Sequence, residues 1–177
     1  DLIGRMSAIT RQLKSYARKG GDDLVPVDVR AALNGALEIM EPQLKLRQVS
    51  LSTSVPSTPV MIMGDQLRLE QVVVNLLRNA LDATSMIDMP EIELLLIGSE
   101  TATLTVRDNG EGISDLDDLF EPFFTTKKPG DGVGLGLAIS SGIVSDLGGR
   151  LVARNSEQSG AVFEVTLPII DNHKDED

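Results

Sequence analysis

The chain has 177 residues, a formal net charge of −11 and no cysteine. That length suits one ordinary domain with a short appendage and allows a sizeable buried core. The acidic balance argues against nucleic acid or anionic membrane surfaces as partners, and the missing thiols exclude disulfides, thiolate metal sites and cysteine nucleophiles. Leu2, Met6, Ile9, Leu13 and Tyr16 recur at spacings of four and three, the seam of one helical unit over residues 1–19. The chain begins inside that pattern and reads as an excised fragment. Residues 20–23 follow as a linker. Leu24–Val27 is a short strand, and Asp28 caps a helix to about Leu46 with Val29, Leu33, Leu37 and Met40 facing inward. Val49–Val55 alternates as a strand, and Val60–Met63 is another, cut short by Gly64-Asp65. Asp65 caps a helix running to about Ser85.

Glu91–Gly98 and Thr101–Arg107 read as a strand pair around Ser99-Glu100. Ile113–Val133 lacks periodicity and reads as a long loop of the kind that serves as a functional lid. Gly134 to about Leu147 is an apolar helix ended by Gly148-Gly149, and Arg150–Asn155 with Ala161–Leu167 forms a final hairpin. Residues 169–177 are expected to be a disordered tail. The one histidine, His173, stands there, which leaves no partner for Ser-His-Asp or HExxH chemistry. The fold class is α+β: a two-layer α/β sandwich, a mixed sheet with three helices on one face, a long lid, and the additional N-terminal helix.

Three segments carry chemistry. On the helix after Asp65, Arg68, Gln71, Asn75, Asn79 and Asp82 fall in one wedge about 80° wide, with Leu69, Val73, Leu76, Leu77 and Ala80 opposite. Asn is a poor helix former, so two of them one turn apart suggest ligation. A carboxamide oxygen suits Mg²⁺ when nucleotide phosphates and water supply the rest. A merely solvated stripe is the alternative. Asp108-Asn109-Gly110-Glu111-Gly112-Ile113 closes a strand with a carboxylate, which can read a base amino group, and with glycines, which let a ligand approach the backbone. Gly132, Gly134 and Gly136 open the apolar helix, whose first amides favour phosphate. Together these look like an ATP site. No Gly-Lys dipeptide is present, so there is no P-loop, and the GxGxG spacing does not fit a dinucleotide fingerprint. Between the glycine segments lie Phe120, Phe123 and Phe124, expected either to dock on a partner surface or nucleotide edge or to form a local mini-core. Lys127 and Lys128 beside them could meet phosphate charge.

In this order and spacing, the segments resemble the catalytic ATP-binding domain of two-component sensor histidine kinases. These sit in the GHKL superfamily with gyrase, heat-shock chaperone and mismatch-repair ATPases. The resemblance covers residues 24–168, and the wording of Leu119–Leu137 is similar to the nitrogen-regulation and C4-dicarboxylate-transport sensor kinases. It implies that Asn79 ligates Mg²⁺ with Asn75 beside it, these two forming the catalytic pair, and that Asp82 lies on the same face. It implies that Asp108 accepts the adenine amino group while Gly110 and Gly112 let the base lie against the backbone. Phe120 and Phe123 match the aromatic box of the lid. Gly132, Gly134 and Gly136 would hinge the lid and present amides to phosphate, and Ile113 and Leu135 belong to the same nucleotide-binding set. Lys127 and Arg78 are further phosphate contacts.

Two departures stand out: Ala161 occupies a place where the family often has Thr, and the phosphoacceptor histidine is absent. The resemblance implies that residues 1–19 are the second helix of a dimerisation and phosphoacceptor hairpin. The implied activity is transfer of the γ-phosphate from Mg-ATP to a histidine upstream, then relay to an aspartate of a response regulator. The implied setting is a cytoplasmic, homodimeric domain of an inner-membrane-anchored parent, without nucleic-acid partners or direct membrane contact of its own. The rivals are a GHKL ATPase, which would place a Glu base where Asn75 stands, a serine/threonine kinase of the same superfamily, and a non-catalytic nucleotide-binding module.

Overall fold

The computed structural model describes residues 24–124 and 134–170. The predicted helix over 1–19, the linker at 20–23 and residues 171–177 of the tail expected over 169–177 lie outside them. The element order is β1 (Val25–Asp28), α1 (Val29–Leu46), β2 (Ser50–Ser54), β3 (Met61–Gly64), α2 (Gln66–Ala83), β4 (Glu91–Gly98), β5 (Thr101–Asp108), α3 (Gly136–Asp146), β6 (Arg150–Asn155) and β7 (Ala161–Pro168).

Five strands form a mixed sheet in the order β2-β4-β5-β7-β6. β2 runs parallel to β4, and every other pairing in that sheet is antiparallel. Period-two alternation sends Ile92, Leu94 and Leu96, Ala102, Leu104 and Val106, and Phe163, Val165 and Leu167 to one buried face. Glu93, Thr103, Thr105, Arg107 and Glu164 take the other. The helices cover the buried face: α2 meets β5, α3 meets β6, and both α1 and α3 pack on α2. This is the two-layer α/β sandwich with three helices on one face.

β1 and β3 pair with each other, Val27 opposite Ile62, as a separate two-stranded sheet rather than joining the larger one. Each strand runs directly into a helix through an aspartate cap, Asp28 for α1 and Asp65 for α2, and the antiparallel register puts the two helix starts at opposite ends of the pair. The Ile170 amide donates to the Met61 carbonyl at 2.9 Å and ties the chain after β7 to this small sheet.

Element boundaries move for identifiable reasons. The Val49 amide closes α1 by donating to Leu44, so β2 starts at Ser50. Thr84 ends α2 by donating its hydroxyl to Ala80 and Leu81. Gly134 has φ +69° and stands apart from α3, which starts at Gly136.

Candidate nucleotide site

Asp108 continues the inward alternation of β5, after Ala102, Leu104 and Val106. It is therefore carried into the core at the sheet's end and is only 2% exposed. Its Oδ1 accepts from the Gly110 amide at 2.8 Å and from the Ala161 amide at 3.3 Å. Both bonds fall on one oxygen, which leaves Oδ2 to accept from a ligand. Burial pushes the Asp108 carboxyl above the usual carboxylate range, and the two amides pull partly the other way. Ala161, where a Thr hydroxyl was expected to be missed, thus reaches Asp108 through its backbone. Gly160 makes that approach possible: it has φ +80°, and a Cβ there would lie 1.9 Å from the Asp108 carbonyl oxygen.

The loop after Asp108 rests on the end of α2. A Cβ on Gly110 would meet the Ala83 carbonyl at 2.5 Å. The Asn109 side chain secures the same turn, accepting from the Glu91 amide and donating to the Met89 carbonyl, each at 2.9 Å. At the loop's far side Gly112 has φ +79°. Ile113 then meets Asn155 twice: its amide donates to Asn155 Oδ1 at 2.7 Å, and Asn155 Nδ2 donates to its carbonyl at 2.9 Å.

The polar wedge of α2 faces α3. Arg68 Nη2 pairs with Asp146 Oδ2 at 2.5 Å. Asn75 is buried, and its Nδ2 donates to the Gly136 carbonyl at 3.2 Å and to Ser140 Oγ at 3.1 Å. Asn75 therefore fastens the first turn of α3. That first turn has Leu135 at its cap and no side chain bonded to its amides, so the amides are available to an anion. One turn further along α2, Asn79 Nδ2 is buried without a partner, a group that calls for an explanation. Asp82 is half-buried beyond it, and Arg78 is exposed.

No cluster of three or more His, Cys, Asp or Glu that could hold a metal occurs among the described residues. A cation that arrives with nucleotide phosphates and takes one neutral carboxamide oxygen from the protein would fit Asn79 Oδ1, with Nδ2 left to donate to an oxygen of the ligand. Phe120 packs half-buried against the main core. Phe123 is 67% exposed, with φ +67°. Its amide donates to the Gly134 carbonyl at 2.9 Å, and a Cβ on Gly134 would strike the Phe124 carbonyl oxygen at 2.5 Å. Lys127, Lys128 and Gly132 lie outside the described residues.

The structure thus brings together Asp108, Gly110, Gly112 and Ile113 at one end of α2, and Asn75, Leu135 and Gly136 along its polar face. Asn155 joins them without having been foreseen, and so do the particular bonds made by the Asn109 side chain and the Ala161 amide. An Asn at a strand end before a tight turn reads as a turn residue, and its sequence carries no sign of a partner on another strand.

Residues 64–171 match the family described as histidine kinase-, DNA gyrase B- and HSP90-like ATPases. The chain belongs to this family, as the ATP-binding domain of a sensor histidine kinase. It is 40% identical over 172 residues to the C4-dicarboxylate transport sensor protein DctB of Pseudomonas aeruginosa, covering 94% of this chain and 28% of that protein. The chain therefore spans less than a third of that relative. Among solved structures it is similar to full-length ShkA in complex with AMPPNP, at a TM-score of 0.77 and 27% identity, over 93% of this chain and 36% of that one. The nucleotide-free catalytic domain of histidine kinase ThkA shares the fold at a TM-score of 0.73 and 24% identity, over 83% of this chain and 98% of that one. Among the described residues, no helix is long and apolar enough to cross a membrane.

Proposed function

We propose that this domain binds ATP with Mg²⁺ and presents the γ-phosphate to a histidine on a phosphoacceptor hairpin, for relay to an aspartate of a response regulator. The observation that carries the reading is that three different polar groups lie along α2. Asp108 at one end holds one saturated and one open carboxylate oxygen. Asn79 is half-buried with an unpartnered amide nitrogen, and α3 begins with amides that no side chain caps.

In this reading Asp108 Oδ2 accepts the adenine amino group, while Gly110 and Gly112 keep the loop backbone free of side chains where the base lies. Asn79 would hold the cation, which supplies charge neutralisation on the phosphates when bound. Asn75 keeps the first turn of α3 aimed at them. Phosphoryl transfer needs little more from the protein than positioning and charge. The likeness to ShkA with its bound nucleotide analogue supports the ligand. The likeness to the C4-dicarboxylate transport sensor protein DctB supports a sensor kinase as the parent of this domain.

Rapid ATP hydrolysis is the less favoured reading. Asn75 has no basic atom, and its amide nitrogen is already engaged with Gly136 and Ser140, so it cannot take a proton from water. Calorimetry with ADP tests the site. Asp108→Ala loses a charge-assisted hydrogen bond worth roughly 1.5–3 kcal/mol and should bind at least about tenfold more weakly. Asn79→Ala should abolish the Mg²⁺ dependence. Labelled ATP should give acid-labile label on a separately supplied phosphoacceptor hairpin and none on this chain. Wild-type affinity in both variants, or label on the chain alone, refutes the proposal.

A further inference from the structure

We propose that Asn155 is a positioning residue for the base-binding loop, setting nucleotide affinity and the preference for adenine over guanine without touching the ligand. The inference rests on the nucleotide reading above and adds a determinant that lies on another strand. The loop from Asp108 to Ile113 is held to the β6–β7 hairpin at two points. At the first, the Ala161 amide bonds Asp108 Oδ1 and the Gly160 backbone lies against the Asp108 carbonyl. At the second, Asn155 presents both ends of its carboxamide to the two backbone groups of Ile113. A primary amide paired this way imitates a neighbouring strand: one acceptor and one donor, in the spacing of a peptide group.

Asn155 Oδ1 also lies where it would meet a Cβ on Gly112 at 2.9 Å, so the same atom fixes the peptide entering Ile113. Gly110 and Gly112 have no side chains with which to hold themselves. The Gly110 side of the loop is also held by α2, where the Glu111 amide donates to the Ala83 carbonyl, and by the Asn109 side chain, so the second anchor governs chiefly Gly112 and Ile113. The hairpin side of the second anchor is itself firm, since Asn155 pairs with Ala161 in the β6–β7 register and the Ser156 amide donates to Gly160.

The functional consequence follows from the first anchor. An ionised Asp108 can only accept, so it suits the amino group of adenine and opposes the carbonyl oxygen of guanine. That discrimination holds only while the opposite boundary of the base, the Gly110–Ile113 backbone, keeps the ring in register. When the second anchor is lost, the loop occupies the binding-competent position for a fraction of the time, and apparent affinity falls by that fraction. The ring also gains room to slide away from Asp108, which costs adenine more than guanine.

The test titrates the 177-residue chain with ADP and with GDP by calorimetry, for the wild type, Asn155→Ala and Asn155→Asp, with a thermal melt of each. Asn155→Asp keeps the acceptor for the Ile113 amide and turns the second contact into two opposed oxygens, so it probes the site even where Asn155→Ala folds poorly. ADP affinity should fall roughly fivefold in the variants, GDP affinity should fall less, and the ADP-to-GDP ratio should shrink. Hydrogen exchange at the Ile113 amide should quicken while the Ala161 amide stays protected. A folded variant with an unchanged ADP-to-GDP ratio, whatever its affinity, overturns the proposal. A wild type that does not bind ADP refutes instead the nucleotide reading on which it rests.

Discussion

Asp108 shows how a single residue can serve binding at the expense of the empty fold. Its position on β5 forces the carboxylate to follow the inward alternation, and burial raises its pKa despite the Gly110 and Ala161 amides. A group whose pKa is higher folded than unfolded gives its full stabilisation below the unfolded value. That stabilisation is lost as pH rises through the folded value. Wherever Asp108 is ionised, the nucleotide-free domain therefore carries the cost of a buried charge. Asp108→Asn removes that charge and keeps an oxygen for the two backbone donors, but turns its other end into a donor facing the adenine amino group. It should melt at the same temperature as the wild type or a few degrees higher at pH 7, at roughly 2–4 °C per kcal/mol. The advantage should shrink as pH falls, and ADP binding should be lost. A lower melting temperature at neutral pH would mean that the carboxylate stabilises the empty fold.

At the level of elements, what was legible in the sequence is what depends on near neighbours. Asp28 and Asp65 cap α1 and α2 as read, with Asp28 Oδ1 accepting from Arg30 and Asp65 Oδ1 accepting from Leu67 and Arg68. The β4–β5 and β6–β7 hairpins follow from alternation and turn residues. The separation of β1 and β3 into their own sheet did not show, because alternation says which face is buried and not which strand is the neighbour. The Ile113–Asn155 pairing did not show either, being made between side chain and backbone across the fold. α1 ends at Leu46 as read, but the way it closes did not show, for another reason. Gln48 sits at φ +53° while Val49 donates to Leu44 and Gln48 donates to Lys45, the Schellman closure that usually announces itself with glycine. A side chain in that left-handed conformation costs about 1–2 kcal/mol, part of which glycine returns as unfolded-chain entropy. Gln48→Gly should therefore stabilise the domain by about 0.5–1 kcal/mol in a denaturant titration, with nucleotide binding unchanged. A loss of stability would show that the Gln48 side chain makes a contribution of its own.

At the scale of the whole molecule, the charge of −11 sets a condition that no single contact reveals. A nucleotide triphosphate is a polyanion, and it must approach a strongly acidic domain. Asp115, Asp117, Asp118 and Glu121 stand on the loop between the base-binding segment and Phe123. The neutral groups assigned to the phosphates, the α3 amides and Asn79, act at hydrogen-bond range and cannot offset a field felt beyond it. Repulsion between exposed charges is screened over about 10 Å at 0.1 M salt, and steering by net charge acts on the association rate. Association of ATP should therefore speed up as ionic strength rises from about 0.01 M towards about 0.2 M, the reverse of a basic phosphate site. Mg²⁺ should speed it further by lowering the ligand's charge before contact. Dissociation, governed by the local bonds, should change less. Stopped-flow binding of a fluorescent ATP analogue over that range measures both rates. An association rate that falls with salt would reveal a positive local field at the mouth of the site strong enough to overcome the net charge, and would make Arg78 and the lysines at 127 and 128 the first residues to neutralise.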